Sequence, residues 1–217
     1  MRIRVLPDGP YRASGVGLLR VRPVVDADGS RVEWERGEEI EHEDTFDLCR
    51  CGHSSNLPFC DATEKEIEFD GKETADRRPT SMRRIAQGDG PVVLTDDTSL
   101  CSRARFCIRK DTDAWALAYE TGDPERRELL IRMVERCPSG RLVYQLPPDD
   151  QPVEAEMAPE VAVIENGPLW VRGGIPIEAS DGFEYEVRQR VTLCRCGHSR
   201  NKPFCDGTHV TVGFRDG

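Results

Sequence analysis

Residues 194–209 run Cys-Arg-Cys-Gly-His-Ser-Arg-Asn-Lys-Pro-Phe-Cys-Asp-Gly-Thr-His. Cys194, Cys196, Cys205 and His209 supply three thiolates and an imidazole, a donor set that could close one tetrahedral metal site or ligate a two-iron cluster. Structural zinc sites usually put about two to four residues between paired cysteines. The single residue between Cys194 and Cys196 instead keeps two sulfurs close together, as one iron of a two-iron core needs. Cys205 and His209 are then left for the other iron. Asp206 stands where an N-cap would open a short helix, with His209 at its third position and the imidazole aimed back at the loop. Free N–H groups at such a start also favour thiolate charge.

The pattern occurs twice. Cys49-Arg50-Cys51-Gly52-His53-Ser54, continuing to Pro58-Phe59-Cys60-Asp61, matches the later stretch at most positions. The likeness extends upstream, where residues 3–11 (IRVLPDGPY) parallel residues 161–169 (VAVIENGPL), each an apolar run broken at a Gly-Pro turn. The repeat is therefore a domain. Gly9 precedes Cys49 by 40 residues and Gly167 precedes Cys194 by 27, so the first copy carries an insertion of 13. The acidic stretch 33–47 contains it and reads as a solvated loop or exposed edge, or as a docking surface for a basic partner; His42 within it reads as solvated.

The first copy departs from the second at Glu64, which replaces His209, at Ala62, which replaces Gly207, and at Leu57, which replaces Lys202. Glu64 reads either as a carboxylate ligand or, in Asp61-x-x-Glu64, as the closing half of a capping box that leaves the iron's fourth position vacant, water-bound or otherwise ligated. Loss of the cluster is a third reading, against which the three retained cysteines count. His53 and His198 read as surface residues of a Gly-His-Ser turn, or as donors to cluster sulfur, or, for His53, as a replacement for the imidazole the first copy lacks.

The run at 194–209 resembles the CDGSH iron–sulfur family. That family's pattern, Cys-x-Cys-x2-Ser/Thr-x3-Pro-x-Cys-Asp-Gly-x-His, is met at Cys194, Cys196, Ser199, Pro203, Cys205, Asp206, Gly207 and His209. The resemblance implies a [2Fe-2S] cluster on three cysteines and one histidine, in a fold with a small β-rich cap beside the cluster loop. Asp61, Asp206, Ser54, Ser199 and Lys202 are expected to support the ligands from behind. Single-copy relatives pair two chains, so a duplicated chain could pair its own halves as an internal pseudo-dimer; a homodimer is the alternative.

All nine cysteines fall into three triplets with none left over, which argues against a disulfide framework and for metal binding in a reducing compartment. The middle triplet, Cys101, Cys107 and Cys137-Pro138, compares with the bacterial ferredoxin run in which the central cysteine has become Ala104. Three thiolates in that frame suit a [3Fe-4S] cluster; a [4Fe-4S] cluster would need a further ligand, for which Asp111 or Asp97 could be invoked. A helix is predicted over 124–136, capped by Asp123, opened by Pro124 and striped by Leu129, Leu130, Met133 and Val134, and it delivers Cys137. Residues 92–144 resemble the single-cluster ferredoxins, including a divergent ferredoxin-like domain that accompanies CDGSH repeats, with Cys137-Pro138-Ser139-Gly140 as closing signature.

The chain of 217 residues carries 30 Lys plus Arg against 40 Asp plus Glu, a formal charge of -10. An acidic surface repels nucleic-acid phosphates and anionic lipid, so neither nucleic acid nor membrane is an expected partner. No apolar run approaches the roughly 18 residues of a membrane span, and no signal-like stretch follows Met1, so a cytoplasmic protein is expected. Turn-rich stretches at 70–89 and 151–159 read as linkers between units at 1–75, 90–147 and 160–217, an α+β chain with two β-rich units flanking a ferredoxin-like one. Arg77, Arg78, Arg83 and Arg84 read as a linker face or a docking site.

No hydrolase triad, phosphate loop or dinucleotide fingerprint is present. The expectation is an electron carrier, not an enzyme, with two [2Fe-2S] centres and one [3Fe-4S] or [4Fe-4S] centre, serving a redox partner protein. The alternative is a storage or transfer protein that donates [2Fe-2S] to an apo-acceptor; a redox enzyme working at the open corner of the middle cluster is a third reading. Neutral His209 and cationic Lys202 against Glu64 and Leu57 predict the higher potential at the C-terminal centre. Proton competition for His209 predicts acid lability there.

Overall fold

A computed structural model describes residues 1–216. The first copy contributes β1 (Arg2–Val5), β2 (Tyr11–Ser14), β3 (Gly17–Val25), β4 (Arg31–Glu39) and β5 (Thr45–Leu48). The middle unit holds β6 (Ile85–Gln87), β7 (Val93–Asp96), α1 (Ala114–Leu117), α2 (Pro124–Glu135) and β8 (Leu142–Gln145). The second copy adds β9 (Glu160–Ile164), β10 (Leu169–Arg172), β11 (Ile177–Glu178), β12 (Arg190–Leu193) and α3 (Thr208–Thr211). The fold is α+β, and among the described residues no helix is long and apolar enough to cross a membrane.

The outer copies exchange strands. One sheet has the order β11-β1-β2-β5 and the other β12-β10-β9-β3-β4, so each copy completes the other's sheet. The exchanged strands run parallel to their hosts, β11 on β1 through Ile3 opposite Ile177, and β3 on β9 through Leu18 opposite Val161. Alternation in β1 buries Ile3 and Val5 and leaves Arg2 and Arg4 out, whereas every residue of β9 is buried. Ile3, Tyr11, Leu18 and Leu48 share one core with Val161, Leu169, Ile177 and Leu193. The segments 1–75 and 160–216 thus make a single intertwined body, because neither copy alone covers the apolar face of its sheet.

The insertion falls within the β3–β4 hairpin, which lengthens β3 relative to β11 and adds β4. β4 is an edge strand and carries Glu33, Glu35, Glu38 and Glu39 toward solvent, as an exposed edge should. Its start is occupied within the chain: the Trp34 Nε1–H donates to Arg136 O at 2.9 Å, Glu33 pairs with Arg136 at 2.5 Å, and Arg31 donates to Ala104 O at 3.0 Å. The Trp34 ring packs between Phe106 and Trp170, with centroids 4.6 and 5.1 Å away. The hairpin clasps the middle unit.

In that unit β6-β7-β8 form an antiparallel sheet on which α2 lays Leu130, Met133 and Val134. Asp123 accepts from the Glu125 and Arg126 N–H groups and Pro124 fills the first turn, so the helix begins where its sequence requires; it ends at Glu135, with Arg136 as its C-cap. The stretch 70–89 is less free than its composition suggests, since it contains β6, a three-residue, largely exposed strand too short to show alternation. Its arginines are used internally: Arg77 pairs with Asp181, Arg78 with Asp76 and Arg83 with Asp97, while Arg84 donates to the carbonyls of Gly140 and Arg141.

Candidate metal centres

Each outer loop leaves its strand with two cysteines in close register. Cys49 and Cys51 have sulfurs 3.7 Å apart, and so do Cys194 and Cys196. Two thiolates bound at about 2.3 Å to one tetrahedral ion stand about 3.7 Å apart, so each pair is already spaced for a metal. The remaining donors form a second pair in each loop. Cys205 Sγ lies 3.4 Å from His209 Nδ1, and Cys60 Sγ lies 3.2 Å from Glu64 Oε2. Among the described residues no three His, Cys, Asp or Glu side chains surround a single-ion position. Donors grouped two and two suit a binuclear centre.

Backbone N–H groups point at the sulfurs. Gly52 donates to Cys49 at 3.3 Å, Gly207 to Cys205 at 3.3 Å and Ala62 to Cys60 at 3.4 Å, contacts that favour thiolate. A hydrogen bond from the partner thiol holds Cys49 and Cys194 below the ordinary thiol range and raises Cys51 and Cys196. Burial lifts Cys60 to about 11 and Cys205 well above its usual value. Burial and the Arg195 guanidinium push His209 down to about 4. The imidazole is accordingly neutral at physiological pH and free to coordinate.

The short helix differs from the predicted one by a residue. Gly207, at φ 83°, is the N-cap of α3 and His209 is its second residue. The left-handed residue after Asp206 closes a turn in which Asp206 accepts from the Thr208 N–H at 3.0 Å and, with its other oxygen, from the Arg200 N–H at 2.9 Å. Asp61 repeats this, accepting from Thr63 and Ser55, and forces Ala62 to φ 70° without a glycine's freedom. The capping box does not form: the Glu64 carboxylate, only 6% exposed, turns to Cys60 and not to the Asp61 N–H. Ser54 and Ser199 tie their loops by donating to Phe59 O at 2.7 Å and Phe204 O at 2.6 Å. His53 and His198 are exposed and contact the carbonyls of Cys51 and Cys196. The Lys202 Nζ lies 5.8 Å from the Phe69 ring of the first copy.

Cys101, Cys107 and Cys137 line one cavity of about 490 Å³ together with Ala104 and Arg141. The loop that carries them has Arg103 and Arg105 at φ 56° and 62°. Neither Asp97 nor Asp111 lines this cavity; Asp97 is spent on Ser99 and on Arg83. Among the described residues no carboxylate lines this cavity. Burial raises Cys107 to about 12, while Arg141, fixed by two 2.7 Å bonds to Asp96, holds its charge next to Cys101.

The sequence gives little notice of two buried arginines. Arg50 and Arg195, between the paired cysteines of each copy, are 2% and 1% exposed and donate to the carbonyls of the Gly-Pro turns, Leu6 and Gly9 in one copy, Ile164 and Gly167 in the other. Their identical place in the repeat was the available signal. The loops also meet back to back, for a Cβ on Gly52 would stand 2.8 Å from Cys196 O and one on Gly197 only 2.4 Å from Cys51 O.

Residues 8–63 and 166–210 match the family described as iron-binding zinc finger CDGSH type. Residues 88–147 match the one described as divergent 4Fe-4S mono-cluster. The first of these matches stops one residue short of Glu64, whereas the second includes His209. No curated protein and no solved structure matches the chain.

Proposed function

Because the chain carries two CDGSH-type iron-binding domains on either side of a divergent 4Fe-4S mono-cluster domain, it is an iron–sulfur protein, and we propose that it carries electrons. In this reading Cys49, Cys51, Cys60 and Glu64 hold one [2Fe-2S] centre and Cys194, Cys196, Cys205 and His209 the other. Cys101, Cys107 and Cys137 hold a [3Fe-4S] centre, or a [4Fe-4S] centre whose fourth corner has no protein carboxylate. The bound clusters supply one-electron chemistry. The protein's part is to fix the donors in pairs, bury them, and stack the three sites in series.

The observation that carries this reading is the position of the C-terminal site, which touches both others. Gly197 meets Cys51 O on one side; on the other, Gly207 lies against the stem of Arg103, and Val210 lines the middle cavity. Such a relay suits electron passage between two ends better than storage of separate clusters. Nine free cysteines fit a reducing compartment, and we place the protein in the cytoplasm as a monomer whose copies pair internally.

A second reading, donation of [2Fe-2S] to an apo-acceptor, draws on the first site, where Cys60 and Glu64 line a solvent-facing cavity of about 740 Å³. One mixing experiment separates the two. Reduced protein is combined with oxidised holo-ferredoxin and, separately, with apo-ferredoxin. Electron carriage predicts that the holo-ferredoxin is reduced and that the chain keeps its iron in both mixtures. Iron appearing in the apo-ferredoxin, without reduction of the holo form, would replace carriage with donation.

A further inference from the structure

The cluster loops of the two copies cross. Leu57, in the loop of the first site, packs against Cys194, Cys196 and Phe214 of the other site. Lys202, its counterpart in the repeat, leaves its own copy in the same way. Its Nζ stands 5.8 Å from the centroid of Phe69, and its carbonyl accepts from the Thr74 and Ala75 N–H groups at 2.8 and 2.9 Å. Phe69 and Phe214 are counterparts too. Phe69 donates its N–H to Glu64 O at 3.1 Å and Phe214 donates to His209 O at 3.0 Å, and each ring lies under the buried arginine of its copy, Arg50 or Arg195. Phe69 also lines the cavity that contains Cys60 and Glu64. The lysine therefore belongs to the first site and the leucine to the C-terminal one.

Two charge differences fall in the same place with opposite sign. Glu64 brings a negative charge that a neutral His209 does not, and Lys202 brings a positive charge that Leu57 does not. A carboxylate as buried as Glu64, added to three thiolates, strongly favours a compensating cation nearby. The two charges are linked through Phe69 and are not in contact; the first site opens on the solvent-facing cavity that Lys65 and Arg12 also line, so the compensation acts through a partly screened field.

Resting on the reading of both outer sites as iron–sulfur centres, we propose that Lys202 is the charge partner of the first centre, delivered across the pseudo-dimer. The Glu64 and Lys202 combination replaces that of His209 and Leu57. It draws the potentials of the two outer centres together. Lys202 accordingly does not raise the C-terminal potential, and the neutral imidazole is left as the remaining cause of any gap.

The test is an EPR-monitored redox titration of the full holo-protein and of Lys202→Gln, Lys202→Arg and Leu57→Lys, with iron and acid-labile sulfide counted in each. The two outer signals are identified by which one is lost in Cys60→Ser and in Cys205→Ser. Lys202→Gln should lower the potential of the first centre and leave the C-terminal one in place; Lys202→Arg should keep both. Leu57→Lys should raise the C-terminal centre alone. A shift of the C-terminal centre in Lys202→Gln, or of neither centre at wild-type iron content, overturns the proposal. Should Lys202→Gln shed iron, Leu57→Lys decides, because movement of the first centre there is equally contrary. Absence of iron from the wild-type chain would strike the underlying reading instead.

Discussion

Glu64 and His209 occupy one position of the repeat, and each stands within 3.4 Å of the last cysteine of its loop. Chemistry at this position is set by burial. The thiols of Cys60 and Cys107, held near 11 and 12, and that of Cys205, raised well above its usual value, are protonated in the metal-free chain at neutral pH. Binding iron must release those protons, so iron uptake should strengthen steadily as pH rises from 6 to 9, the direction mass action gives when protons leave on binding. His209, lowered to about 4, is already neutral throughout that range and adds nothing to it. Iron and sulfide reconstitution of the metal-free protein at stepped pH measures this. Cys49 and Cys194, lowered to about 6, contribute near the bottom of that range; a rise centred near 6.5 that disappears in His209→Gln would mean that His209 is solvated and titrates normally. The same burial moves the onset of proton competition for the imidazole toward pH 4, well below the value that an exposed histidine implies. The approach of Cys194 to Cys196 and of Cys205 to His209 was legible in the sequence because Cys-x-Cys and the CDGTH run fix it locally. The direction of the Glu64 side chain was not, since a capping box and a ligand ask for the same residue at the same spacing.

Among the elements, α2 and the cluster loops were legible for a physical reason: caps, periodicity and turn glycines act over a few residues. The exchange of β3 and β11 was not legible, because parallel pairing between Leu18 and Val161 depends on contacts more than a hundred residues apart. Nor was the clasp of the β3–β4 hairpin, whose Glu33 and Trp34 read as solvated until Arg136 is brought beside them. The back-to-back loops make a prediction of their own. Gly197 and Gly29 both sit near φ 80°, but a Cβ on Gly29 meets nothing within 4 Å, whereas one on Gly197 meets Cys51 O at 2.4 Å. Gly29→Ala should therefore cost only the left-handed penalty of roughly 1–2 kcal/mol. Gly197→Ala should cost clearly more and disturb the visible spectra of both outer centres, as the loops are forced apart. Thermal denaturation of the two variants, followed in the ultraviolet and the visible, makes the comparison. Equal losses of stability would show that the loops are not in contact.

At the scale of the whole molecule, a duplicated domain has folded back on itself, and the unit between its copies rests on the second site. Strand exchange gives the outer pair one core, and the hairpin of the first copy fixes the middle unit over the loop of the other. Three sulfur-rich sites thereby come into series in a chain of 217 residues. The repeat announced that the copies would pair; it could not announce that they would trade strands or that residue 202 of one loop would serve the opposite site. Everything in this arrangement depends on the nine cysteines binding iron with inorganic sulfide. Iron, zinc and acid-labile sulfide per chain, determined with EPR of the oxidised and reduced protein, test that directly. The account predicts about seven irons for two binuclear centres and a trinuclear one, or about eight with a complete cube, with sulfide in proportion. A colourless protein, prepared with and without oxygen, that contains zinc and no sulfide would contradict it.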